Sequence, residues 1–221
     1  MLHQIRRRVR WTWHYFYPWT GLRGLDRKVV SIIGDSRHGF FVEAGANDGI
    51  RQSNTYYLSR RRAWRGLLVE PVPSLAADCR RNRPESTVKN CALVASEIDG
   101  AFVDVVDVDL MSVVHESTDE QEAILRVAED VQRIRRSIVS IIGRSLSSLL
   151  EEIGNPAVDF LSLDVEGFET EVLKGLDLQK HSPKWILVET RNLDSVREIL
   201  QPTHDLHSQL TFHDYLFWRR A

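Results

Sequence analysis

The sequence predicts an α/β protein built on a mostly parallel sheet, with helices on both faces and an antiparallel strand closing one side. Three observations predict it. Short apolar runs alternate with stretches of helical periodicity, as in a succession of β-α units. The runs Phe40-Phe41-Val42, Gly66-Leu67-Leu68-Val69 and Trp185-Ile186-Leu187-Val188 are continuously apolar, as expected of strands buried on both faces. The last two runs, 204–210 and 212–218, fit a closing antiparallel pair.

In chain order, Leu22, Leu25, Val29, Val30, Ile32 and Ile33 are spaced as a helix over 22–37, with Gly39 where a C-terminal glycine belongs. Phe40–Ala44 reads as the first strand. Residues 53–62 follow as a helix that Ser53 or Asn54 can cap. Gly66–Glu70 is the second strand, stopped by Pro71 and Pro73, and Ser74–Arg83 is helical. Val88–Val94 is a third strand, and Ala101–Val108 a more exposed one. Asp119–Ser137 carries Ile124, Val127, Val131 and Ile134 on one stripe, which predicts an amphipathic helix within an insertion. Ser145–Ile153 is a short helix broken by Gly154-Asn155-Pro156. Val158–Asp164 is a central strand, Gly167–Gly175 a helix, Trp185–Glu189 a strand and Leu193–Leu200 a helix. The resulting division is 1–37 as an N-terminal basic and aromatic arm with a helix, and 38–221 as one domain, with 104–140 a substrate or lid insertion.

A chain of 221 residues suits one such domain. A net charge of −2 gives no global basic field, so nucleic acid is not expected as a partner. Cys79 and Cys91 are the only cysteines and form no C-x-x-C, which favours a reducing, cytoplasmic setting. No apolar stretch is long enough to span a bilayer, and the N-terminus lacks the apolar core of a signal peptide. Its Arg6, Arg7, Arg8 and Arg10 run into Trp11, Trp13, Tyr15, Phe16, Tyr17 and Trp19. That mixture allows a weak membrane-surface contact. The aromatics are not spaced as one clean helical face, so packing on the domain or on a second subunit of a homodimer is preferred.

Ligands of open parallel sheets bind beyond the carboxyl ends of the strands. Those ends carry Glu43-Ala44-Gly45, Glu70-Pro71, Asn90-Cys91, Asp164-Val165-Glu166-Gly167 and Glu189-Thr190. Any one such acid is commonly a helix cap; the set together points to a site. In Glu43-Ala44-Gly45-Ala46-Asn47-Asp48-Gly49, Gly45 and Gly49 permit positive φ and close backbone approach. Glu70 follows about 20 residues later, where an acid binds the ribose hydroxyls of a nucleotide-like cofactor. A dinucleotide fold needs glycine near position 47 so that backbone can meet a pyrophosphate, and Asn47 stands there instead. An anionic pyrophosphate beside Glu43, Asp48 and Glu70 would also be repelled. S-adenosylmethionine, with an ammonium and ribose hydroxyls but no pyrophosphate, fits better.

The run Phe41–Gly49, then Ser53-Asn54-Thr55, then Trp64–Pro71, resembles the FkbM family of methyltransferases. So do Asp159–Glu169 and the following Val172-Leu173-Lys174-Gly175. The resemblance covers about residues 38–218. It implies the class I methyltransferase (Rossmann-like) fold, S-adenosylmethionine as cofactor and, typically, O-methylation of a hydroxyl on a sugar or small natural product. It also implies that Gly45 and Glu70 touch the cofactor and that Asn90-Cys91-Ala92-Leu93 flank its adenine. Asp104–Ser140 is the least family-like stretch.

Individual residues follow from this. Glu43, Gly45, Asn47, Gly49, Glu70, Asn90, Cys91 and Asp164 are the candidate cofactor-binding residues, with Glu43 an acceptor for the cofactor ammonium. Asp164 and Glu166 are the candidate catalytic carboxylates. Glu189 could complete a divalent-metal site with Asp164, a version set aside because their spacing fixes no coordination geometry. Glu169 is plausible as a dipole-favoured residue of a first helical turn. Ser53-Asn54-Thr55 reads equally well as a cap or as part of the site. His115 and His213 are reserve bases, and Arg60-Arg61-Arg62 with Arg65 reads as a solvated face. Two other classes remain: a cofactor-binding scaffold without chemistry, which the intact acids speak against, and a nicotinamide oxidoreductase, which Asn47 speaks against.

Overall fold

The computed structural model describes residues 17–108, 111–114 and 137–220. A 3-10 turn at Leu22–Gly24 leads into α1 (Leu25–Ile33). Gly34, at φ 90°, ends this helix by returning its N–H to the Val30 carbonyl at 3.1 Å. The glycine expected to end it, Gly39, lies instead against Trp64, whose ring would sit 2.5 Å from a Cβ there. Then follow β1 (Phe40–Ala44), α2 (Tyr56–Arg62), β2 (Arg65–Val69), α3 (Pro73–Asn82), β3 (Thr87–Lys89) and β4 (Ala92–Leu93). β5 (Phe102–Val108), β6 (Met111–Val114) and β7 (Ser137–Arg144) come next, then α4 (Leu146–Glu152) and β8 (Phe160–Leu163). The chain ends with α5 (Glu169–Lys174), β9 (Trp185–Glu189), α6 (Leu193–Leu200), β10 (His204–Gln209) and β11 (Asp214–Arg219).

The main sheet has the order β10-β11-β9-β8-β1-β2-β3, parallel except for β11, which runs antiparallel to β9 and β10. Successive residues of its strands serve opposite faces. Val42, Leu67, Leu161 and Ile186 pack with Leu149 of α4, Val172 and Leu173 of α5 and Val196 of α6. Their neighbours Phe41, Leu68, Phe160 and Leu187 pack with Leu25 and Val29 of α1, Leu58 of α2 and Cys79 of α3. The continuous apolar runs therefore cover two cores, one under each helical layer. α1, which the sequence division sets apart from the domain, is part of the second core.

Three strand assignments change, one of them β6, for which no strand is expected within the insertion. The single strand expected over Val88–Val94 is two: β3 ends the main sheet, and β4 pairs with β7 in a second sheet of order β4-β7-β5-β6. Between them the Asn90 side chain donates to the Glu70 and Pro71 carbonyls at 2.9 and 2.8 Å, taking the ladder's place where β2 has ended. β7 was not anticipated as a strand. Its Ile138, Val139, Ile141 and Ile142 are the β-branched signal for it. Of the helix expected over Asp119–Ser137, residues 119–136 lie outside the described residues, and Ser137 opens β7. Among the described residues no helix is long and apolar enough to cross a membrane.

Candidate active site

The strand order reverses between β1 and β8, so their carboxyl ends open the crevice in which such sheets bind ligands. A cleft of about 950 Å³, part of it open to solvent, lies there. Its walls include Glu43, Gly45, Asn47, Glu70, Cys91, Asp164 and Glu166 of the expected residues. Gly49 and Asn90 are not in its walls. Gly49 faces α3, where a Cβ would meet Arg83 Cγ and Cys79 Sγ at 2.9 Å, and Asn90 holds the turn after β2.

The glycine turn is closed upon itself. Gly45 and Ala46 both donate N–H to the Val69 carbonyl at 3.0 Å. Asn47 donates to Glu70 Oε2 at 2.8 Å, Asp48 to the Asn47 side chain at 2.7 Å, and Gly49 to the Ala46 carbonyl at 2.8 Å. Every N–H from Gly45 to Gly49 thus has an internal acceptor, and none is left to cradle a phosphate. This is a firmer argument against a dinucleotide than charge repulsion, because Asp48 Oδ1 is turned inward to accept from Ile50 and Arg51 N–H. Asn47 takes φ 50° without glycine's freedom, as asparagine can. Gly45 takes the expected positive φ, 78°, and its surroundings require glycine as well. A Cβ would lie 1.9 Å from the Asp164 carbonyl oxygen, so the clash is with β8's exit rather than with ligand space.

Glu43 is held by its own chain. Oε2 accepts from Ser53 Oγ at 2.9 Å and Thr55 Oγ1 at 2.6 Å, and Oε1 accepts from Asn54 N–H at 2.8 Å. The guanidinium of Arg83 stands 3.7 Å away with no solvent exposure. Arg83 also donates to the Gly49 carbonyl at 3.0 Å and to Thr55 Oγ1 at 3.2 Å, and lies over the rings of Phe41 and Tyr56. The ammonium role expected of Glu43 is therefore not supported by its surroundings: its carboxylate ties the 53–55 loop to β1 and balances a buried cation. Sequence reasoning missed Arg83, which reads as an ordinary last-turn arginine beside Arg80 and Arg81.

Glu70 is buried in the cleft wall, and its two oxygens take the N–H groups of Asn47 and, at 2.9 Å, Val72. Next to it Val69, Leu75, Cys91, Ala92 and Leu93 form an apolar slot. Burial pushes the Cys91 thiol up to about 12, so it serves as wall rather than nucleophile. A vicinal diol at Glu70 with a flat apolar ring in the slot matches a nucleoside without phosphate.

The opposite end is crowded with acids. Asp164 ends β8 and hydrogen-bonds Glu189 at the end of β9. Burial, then the charges of Glu189, Glu166 and Glu169, hold the Asp164 carboxyl well above its ordinary range. Burial and the Asp214 charge raise Glu189 as well. Two carboxyl groups in this contact each disfavour ionisation of the other. Glu166, at φ 52°, is raised to about 7 by burial and by Glu189. Glu169 is also near 7 because of burial, and it accepts the Gly167 N–H at 2.8 Å. His213 lies close enough to Glu189 to act on it electrostatically, whereas His115 lies outside the described residues. Among the described residues no group of three such side chains is disposed to hold a metal ion.

The cleft thus joins a buried carboxylate and an apolar slot to a group of carboxyls that resist ionisation. None of the curated proteins matches the chain. Among solved structures it is similar to the methyltransferase FkbM of Methylobacillus flagellatus, with 16% identity and a TM-score of 0.48 over 83% of this chain, which spans 44% of that one. It is similar to a TehB-like SAM-dependent methyltransferase of Corynebacterium glutamicum, with 10% identity, a TM-score of 0.45 and 99% of each chain covered. It is also similar to human methyltransferase 10 domain containing protein, with 13% identity, a TM-score of 0.47, and 88% of this chain and 79% of that one covered. The methyltransferase FkbM domain model matches residues 43–216, from the glutamate that ends β1 to the middle of β11 and hence nearly all of the α/β domain, so the chain belongs to the FkbM methyltransferase family.

Proposed function

We propose that the protein transfers a methyl group from S-adenosylmethionine to a hydroxyl oxygen of a sugar or small natural product. One observation carries the reading: a single cleft is lined by a buried carboxylate beside an apolar slot, Glu70, and by a carboxyl raised to about 7, Glu166. The residues fit the cofactor. The closed glycine turn refuses phosphate, the slot beside Glu70 suits a purine, and Asn54 Oδ1 in the wall is a buried acceptor without a hydrogen-bond partner among the described residues.

The cofactor supplies an electrophilic methyl group. The chain has to hold the acceptor oxygen in line and take its proton. Glu166, with a proton affinity matched to neutral pH, takes that proton, and Glu189 beside it helps to hold its affinity up. No cation is needed in this scheme. The test is titration calorimetry with S-adenosylmethionine and NAD, then turnover on a library of hydroxyl compounds with and without chelator. Binding of the first alone, with chelator-resistant turnover that Glu166→Gln removes, supports the reading. Binding of NAD alone, or binding without any turnover, rejects it. Chelator-sensitive turnover restored by magnesium replaces the protein base with a metal.

A further inference from the structure

Asn54 is fixed on two sides and vacant on the third. Its backbone N–H donates to Glu43 Oε1 at 2.8 Å, and its side-chain Nδ2 donates to Ser162 Oγ of β8 at 3.1 Å. Its Oδ1 is buried and has no hydrogen-bond partner among the described residues, although the residue as a whole is only 6% exposed. A buried acceptor left unmade is destabilising, which marks the position as one that a ligand donor can fill. Asn54 lies in the cleft wall together with Ser162 and Asp164. Glu43 and Ser162 are register partners on adjacent strands, so the amide bridges the two strands at the switch point. The neighbouring carboxylate Glu43 is already balanced by Arg83. What the vacant oxygen lacks is a donor, and a positively charged one would also relieve the mutual repulsion of the Asp164 and Glu166 carboxyls in the same wall.

We propose that Asn54 Oδ1 receives the α-ammonium group of the cofactor's amino-acid end, the role that Glu43 is too occupied to fill. This rests on the reading of the cofactor as S-adenosylmethionine. It makes Asn54 a binding residue that separates cofactors with an amino-acid end from simpler nucleosides, while Glu70 and the apolar slot bind what both share.

The test uses S-adenosylhomocysteine and 5′-methylthioadenosine, which share the nucleoside and the sulfur and differ in the amino-acid end. Calorimetry on the whole chain should show Asn54→Leu binding S-adenosylhomocysteine at least tenfold more weakly and methylthioadenosine within twofold of the unaltered protein. Equal losses for both ligands would mean that Asn54 only props the loop and would overturn the proposal, as would no loss for either. Should Asn54→Leu fail to fold, the unaltered protein is titrated with the des-amino analogue of S-adenosylhomocysteine, which lacks only the ammonium. A tenfold weaker affinity supports the proposal, and equal affinity overturns it. An unaltered protein that binds no adenosine ligand at all overturns the cofactor reading and this inference together. One that binds methylthioadenosine as tightly as S-adenosylhomocysteine overturns the inference alone.

Discussion

Arg83, at the end of α3, points a fully buried guanidinium at Glu43, 3.7 Å away at the end of β1. The contact links the glycine turn, the 53–55 loop and the first strand through one cation. Removing one member of a buried pair strands the other and costs about 3–5 kcal/mol. Arg83→Met should therefore lower the urea midpoint sharply. Arg81→Met, which loses an exposed partner in Asp78, should change stability by about 0–1 kcal/mol. Equal small effects from both would mean that Arg83 is not the anchor.

Glu70 holds two backbone N–H groups besides facing the cleft, so Glu70→Ala removes both a ligand contact and the brace of the turn. Its loss of cofactor affinity should exceed the roughly 1–3 kcal/mol of a ligand hydrogen bond alone. Glu70→Gln keeps the shape but puts an NH₂ where one of the acceptors stood, and should fold normally while binding more weakly. Calorimetry beside thermal melts checks both, and unchanged affinity in Glu70→Gln would remove Glu70 from the diol role.

Gly45 and Gly24 have similar backbones, φ 78° and φ 71°, in different surroundings. Gly24→Ala meets nothing within 4 Å and should cost about 1 kcal/mol, the ordinary left-handed penalty. Gly45→Ala drives a methyl into the Asp164 carbonyl 1.9 Å away and should cost several times more, even with no ligand present. Similar melting temperatures for the two variants would contradict the packing described here.

Glu166 and Glu169 are both raised to about 7, so the folded protein binds protons that the unfolded chain releases at ordinary carboxylate pH. Stability should fall as pH rises from about 4.5 to 7, since ionisation in the fold is disfavoured there. Glu166→Gln and Glu169→Gln should each flatten that slope. Turnover should move the opposite way, rising through about pH 7 as Glu166 ionises. Denaturant titrations and rate profiles across this range check both trends, and a turnover profile flat from pH 5 to 8 would exclude Glu166 as the base.

The sequence by itself determined the β-α alternation, the glycine turn and the acidic strand ends, Glu70 among them. Each of these is written in neighbouring residues: apolar periodicity reports which faces are buried, and glycine and proline report where the chain turns. Tertiary structure decided whom the polar groups meet. Glu43 anchors the 53–55 loop because β1 lies beside β8 and under α3, which brings Arg83 and that loop onto it. Gly45 is needed because Asp164 crosses it, and the Asp164 and Glu189 carboxyls are both raised because β8 and β9 are neighbours in the sheet. The split of Val88–Val94 was hidden for the same reason: continuous β propensity cannot show that Asn90 bonds to the carbonyls of Glu70 and Pro71 and ends the ladder. Periodicity is a property of a segment, but the partner of a buried charge or amide is set by strand order. Residues far apart in the chain, such as Asn54 and Ser162, acquire their chemistry only when the sheet closes between them.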